Sequence, residues 1–249
     1  MLLNSAAFHG AGRDADREFR SGRINSQTIA ALRTALGEDE KRVNIFVCHH
    51  HPAPFNPVDE EDYSEMIGGD RLLQLLDSSG FGSWLMIHGH KHYPRLIYAQ
   101  GGSSSPVIFS AGSFSAALYQ KLQHHARNQF YMLEIPISEL DNLGFELAGT
   151  LRAWDWIGLC GWQRAGDRSG LPYQVGFGWR ESPLNIAREI AKQFGQSQAV
   201  WTAADLMAAV PKLRYLRPEE IIVIAKRLID HHQIVARLQD GVIIELGRK

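Results

Sequence analysis

The 249 residues carry 26 Lys and Arg against 27 Asp and Glu, a formal net charge of −1, with 45% hydrophobic and 21% charged residues. That balance belongs to an ordinary globular protein of one large or two small domains, and it excludes bulk electrostatic attraction to nucleic acid or an anionic membrane. Two cysteines do not make a disulfide framework, no apolar run reaches bilayer length and no basic signal segment opens the chain, so a cytoplasmic location without membrane association is expected.

Leu2 and Leu3 open an apolar stub that runs into Asn4-Ser5. Residues 9–23 are polar and read as a loop that includes His9, Asp14 and Asp16. Ser26 is positioned to cap a helix through Ile29, Leu32 and Leu36, with Gly37 as its stop. An apolar run at 43–47 predicts a buried strand, and Pro52, Pro54 and Pro57 then force a loop. Leu72, Leu73, Leu75 and Leu76 mark a helix with Asp70 as its expected N-cap and an end near Gly80. Further strands are predicted over 84–87, 107–114, 129–135, 145–154 and 173–179. Alternating elements followed by sequential strands suggest a layered α/β body completed by a partly antiparallel sheet.

The pattern turns helical near Ser182-Pro183, with helices predicted over 184–194, 202–210 and 218–232. Thr202 suits an N-cap, and Pro218 suits the first helical position with Glu219 and Glu220 in the first turn. Asp240-Gly241 between two alternating runs signals a hairpin. Three helices and a hairpin make a winged-helix-like order. From Pro183 onward ten basic residues face seven acidic ones, and the two glutamates open the would-be recognition helix. A partner protein or an oligomer contact is therefore favoured over DNA for this tail.

Two histidine clusters organise the rest. Cys48-His49-His50-His51-Pro52 and His88-Gly89-His90-Lys91-His92 each follow a predicted strand and together hold six of the eleven histidines. Strand ends deliver such side chains to a sheet edge, and neutral imidazole ligates Zn, Mn and Fe. The pair, in this order, resembles the last two motif blocks of the calcineurin-like metallophosphoesterases: a histidine strand ending in H-H-P, then G-H-x-H. Leu3-Asn4-Ser5-Ala6 and Ala111-Gly112-Ser113 look like flanking strand ends of that family, so the resemblance covers roughly residues 1–140.

The resemblance implies an α/β (α+β) architecture, a layered β-sandwich flanked by helices over residues 1–181, followed by the winged-helix-like domain 182–249. It implies that His50 and His90 ligate one metal and His92 the other, these three being the catalytic and metal-binding residues. His49 and His51 become supporting or substrate-side groups. Two divalent ions (Mn, Fe or Zn) and a phosphomonoester, phosphodiester or nucleotide substrate follow. The family's D-x-H, G-D-x-x-D and G-N-H-D/E blocks do not occur in this sequence. The chain is therefore expected to be the C-terminal part of such an enzyme, with an open, incomplete ligand set of its own. The alternative expectation is a non-catalytic binding module that works through its winged-helix-like tail.

Overall fold

The two histidine clusters follow adjacent parallel strands of one mixed sheet and leave it at the same end. The computed structural model describes residues 1–9, 21–37, 43–55, 64–99, 104–144, 147–166, 169–195 and 200–248. Asp14, Asp16, Asn56, Pro57 and residues 101–103 lie outside the described residues. The chain is α+β and divides into two compact units, Met1–Phe130 and Tyr131–Lys249. The composition change at Ser182 falls inside the second unit.

In the first unit, α1 (Ser26–Gly37) precedes β1 (Asn44–Cys48), α2 (Gly69–Leu76), β2 (Trp84–His88), β3 (Arg95–Tyr98) and β4 (Val107–Ser110). The sheet order is β1-β2-β4-β3. β1, β2 and β4 run parallel, with Cys48 opposite His88 and His88 opposite Ser110, and β3 closes the edge antiparallel. All four residues of β4 are buried, as expected for a parallel strand covered on both faces. Phe46, Met86, Trp84, Leu72, Leu76, Met66 and Ile24 form the core, with Ile29, Leu32 and Leu36 of α1 partly buried against it.

Leu2 bridges Val47 in parallel, and the Leu3 N–H donates to the Val47 carbonyl at 2.9 Å. The N-terminal stub thus extends the sheet beside β1 and brings Ser5 to the first histidine cluster.

Two expected caps sit elsewhere. The Thr28 N–H donates to Asn25 Oδ1 at 2.8 Å, so Asn25 rather than Ser26 caps α1; Asn is as good a cap, and the chain turns one residue earlier. Gly68, at φ 81°, precedes α2, and Asp70 lies within its first turn, where the helix dipole favours an acid.

In the second unit, β5 (Gln129–Glu134), which spans the unit boundary, joins β6 (Gly149–Ile157) and β7 (Gly161–Arg164), and β8 (Gln174–Phe177) pairs with β6. Short helices α3 (Gln120–Gln123) and α4 (Ile137–Leu143) flank β5 in the chain. The tail then runs α5 (Pro183–Phe194), β9 (Val200–Thr202), α6 (Ala203–Ala209), α7 (Pro218–His232), β10 (Ile234–Gln239) and β11 (Val242–Arg248). Its sheet order is β10-β11-β9. Ser182 caps α5 through the Leu184 N–H, and Thr202 and Asp205 form a reciprocal capping box on α6. Asp240 at φ 49° and Gly241 at φ 77° make the tight hairpin turn. Ile186, Ile190, Phe194, Leu206, Ile224, Leu228 and Leu246 lie in one buried cluster that unites the tail. No helix among the described residues is long and apolar enough to cross a membrane.

Candidate metal centre

The parallel pairing of β1 and β2 places His49–His51 beside Gly89–His92 at the strands' carboxyl ends, where open α/β sheets build sites. The Gly89 N–H donates to the His49 carbonyl at 3.1 Å and ties the two loops together. His90 and His92 both have left-handed backbones, φ 70° and 52°, while Lys91 between them is buried. The loop is thus coiled rather than extended. Each such non-glycine residue costs about 1 kcal/mol or more, strain that clusters where side chains must be aimed.

His50 is fully buried and fixed from two sides. Its Nδ1 lies 2.9 Å from Ser5 Oγ, which also accepts the backbone N–H groups of His50 (3.2 Å) and His49 (3.3 Å). Gly22, at φ +63°, passes so close that a Cβ there would stand 2.3 Å from His50 Nδ1. Only glycine permits that approach. The other nitrogen, His50 Nε2, is buried and has no hydrogen-bond partner among the described residues. Such an orphaned acceptor in a polar cluster is what a metal-ligating nitrogen looks like without its ion.

One nitrogen from each of His49, His50 and His90 lies within 4.8 Å of the others, and no carboxylate among the described residues belongs to the group. His90 Nδ1 and His49 Nε2 stand 3.3 Å apart. A four-coordinate ion with nitrogens at about 2.0–2.1 Å sets them about 3.3–3.4 Å from one another, so this edge has ligand spacing already. The His49 ring is 4.7 Å from that of His50 and 5.2 Å from that of His90, in both cases nearly perpendicular. The residues present therefore fit a divalent ion.

The electrostatics favour neutral, ligand-ready imidazoles. Burial, then the neighbouring His90, His49 and His9, push His50 down to about 3. Burial also lowers His88 to about 4, against an opposing hydrogen bond between its Nδ1 and the Gly89 carbonyl at 3.0 Å. His49 is lowered by burial and by His92 and His9.

Of the residues expected from sequence, His50 and His90 come together in this group. His92 lies outside the three and acts on His49 through its charge. His49, read from sequence as a supporting residue, stands in the group, and Ser5 and Gly22 carried no signal of their own. His51 stacks on His90, ring centroids 5.9 Å apart. Behind it, His51, His88, Phe55, Arg95 and Ser110 line a cavity of about 20 Å³, room for one water. Arg95 lies 4.7 Å over the Phe55 ring and pins the loop after Pro52.

A family model described as wHTH-Calcineurin_assc matches residues 175–229, from β8 through most of α7. The tail is a winged helix. No curated protein matches the chain. Within the tail, α7 turns Ile222 (55% exposed), Val223 (46%) and Ile229 (38%) outward, together with Glu219, Lys226, Arg227, Asp230 and His231. Glu220 bonds the Arg217 N–H at 2.9 Å and closes the helix start.

Proposed function

We propose that this chain is a metal-dependent phosphoesterase of the calcineurin-like type, hydrolysing a phosphomonoester, a phosphodiester or a nucleotide. The carrying observation is that His50 and His90, from two motifs forty residues apart, meet at the carboxyl ends of adjacent parallel strands. The first unit is read as part of that family's layered sandwich. The name of the matched winged-helix model, which couples such a module with calcineurin, suits a phosphoesterase carrying this tail.

In this reading His50 and His90 hold an ion, and His92 serves a second one where the remaining ligands are supplied; Mn, Fe and Zn are the candidates. When bound, the metal supplies a water of lowered pKa and charge stabilisation for the in-line displacement. Ser5 and Gly22 hold the His50 ring, and His51 backs the His90 ring. The loop pinned by Arg95 on Phe55 borders the substrate. The test is turnover of p-nitrophenyl phosphate and bis-p-nitrophenyl phosphate with each metal, by wild type and His90→Ala. Metal-dependent hydrolysis lost in the variant is expected, and no turnover with any ion would reject the reading.

The second reading is a non-catalytic module whose tail binds a partner protein. It is supported by the exposed Ile222, Val223 and Ile229 among the charged residues of α7 and by the two acids in its first turn, which would repel DNA phosphates. In this reading the chain hydrolyses neither ester with any metal, and Ile222→Glu abolishes partner or self-association in sedimentation.

A further inference from the structure

Resting on the metal-dependent reading, we propose that Arg95 binds the substrate's phosphoryl group and that its guanidinium fork selects phosphomonoesters over phosphodiesters. The sheet sets its place. β3 runs antiparallel to β4, so its first residue, Arg95, lies opposite Ser110, which lies opposite His88. Arg95 therefore stands level with the end of β2, two strands and about 10 Å away, at the end of the sheet where both histidine loops leave. Only Tyr93 and Pro94 separate it from the G-H-x-H motif. The Ser110 hydroxyl donates to the Tyr93 carbonyl at 2.8 Å and Pro94 fixes its own φ, so this link is held in place.

The side chain is set as well. Arg95 is exposed, and its guanidinium lies 4.7 Å over the Phe55 ring, which meets Tyr93 edge-on at 5.6 Å. Stacking uses the face of the guanidinium and leaves its in-plane N–H donors directed past the ring. Arg95 shares a cavity wall with His51, and the His51 ring stacks on His90. One imidazole thus stands between this fork and a candidate metal ligand. A guanidinium takes a phosphoryl group through two parallel N–H···O bonds. A monoester carries three non-bridging oxygens and up to two charges, a diester two oxygens and one charge. With one oxygen on an ion, the monoester still offers the fork a pair, whereas the diester offers a single oxygen.

The experiment is calorimetric titration of the full chain, incubated with Mn²⁺ and freed of the excess, with inorganic phosphate and with dimethyl phosphate at pH 8. Wild type is compared with Arg95→Ala, Arg95→Lys and Phe55→Ala, and circular dichroism checks that each is folded. Arg164→Ala is the control for lost charge, since Arg164 is likewise exposed and stacked on a ring, that of Tyr173, but belongs to the second unit. Phosphate should bind more tightly than dimethyl phosphate and lose about 10–100-fold in Arg95→Ala, with the preference between the two anions narrowed. Arg95→Lys keeps the charge and loses the fork, so its loss should be intermediate. Phe55→Ala should weaken phosphate a few-fold, and Arg164→Ala should leave it unchanged. Unchanged affinity in Arg95→Ala, an equal loss in Arg164→Ala, full affinity in Arg95→Lys, or dimethyl phosphate bound as tightly as phosphate would each overturn the proposal. So would a folded wild type that binds no phosphate. Turnover is scored separately: phosphate held through Arg95 without hydrolysis removes the phosphoesterase reading alone, and hydrolysis with KM and phosphate affinity insensitive to Arg95→Ala removes this inference alone.

Discussion

Acid should loosen the first unit through His88, by an amount that can be set in advance. His88 is 4% exposed and ends β2, opposite Cys48 on one side and Ser110 on the other. Burial carries its pKa from 6.5 to about 4. In the unfolded chain the imidazole takes its proton as pH falls through 6.5, while in the folded chain it stays neutral until about 4. This contribution to stability is complete above pH 6.5, declines between 6.5 and about 4, and is flat below. At about 1.4 kcal/mol per pH unit the loss is about 3 kcal/mol by pH 4, a large part of a domain's stability. Urea unfolding of the chelator-treated chain at pH 7 and pH 4 measures it. Trp84 is the one tryptophan of the first unit, so 5-fluorotryptophan labelling isolates that transition. Other groups titrate over the same range, so the readout is the difference between wild type and His88→Gln. The variant's loss between the two pH values should be smaller by about 3 kcal/mol. Equal losses in the two proteins would refute the reasoning.

Burial pushes the Cys48 thiol up to about 12, whereas Cys160 is exposed, so one thiol per native chain should react rapidly with Ellman's reagent at pH 8 and the second only in denaturant. Two fast thiols would contradict the burial of β1. Ser5→Ala should weaken divalent-metal binding by about 10–100-fold in calorimetry, because it frees the His50 ring that Ser5 Oγ holds. Gly22→Ala should abolish that binding, since its Cβ would displace the ring. Leu228→Ala, at a fully buried position in the tail, should lower stability by about 2–5 kcal/mol in urea melts of the second unit and leave metal binding by the first unit unchanged.

Features written locally in the chain were legible. Pro218 opens α7, Thr202 caps α6 and Asp240-Gly241 turns the final hairpin, each set by residues within a few positions of one another. Elements that depend on distant partners were not. β9 is three residues long and exists because Val200, Trp201 and Thr202 pair with Gly247, Leu246 and Glu245, more than forty positions away. β3 is likewise held by β4, with Leu96 opposite Phe109. α4 follows Pro136, where the sequence shows a stopped strand and no strong cap; its N-cap position is Pro136 itself, without a side-chain hydrogen bond.

The site divides along the same line. Proline spacing and G-H-x-H select His50, His90 and His92, and spacing alone treats 90 and 92 as a pair. The left-handed backbones at both positions break that equivalence, so the loop gives His90 to the group and leaves His92 beside it. The surroundings of His50 are then set by contacts far away in sequence. The stub at Leu2 adds to β1, Ser5 engages His50 Nδ1 across 45 positions, and Gly22 closes on the ring's flank. His49, next to His50, stands with its Nε2 3.3 Å from His90 Nδ1. A motif names the residue types that a site requires. Which side chains meet depends also on distant contacts such as the Leu2–Val47 bridge and the Ser5–His50 hydrogen bond, which no motif encodes.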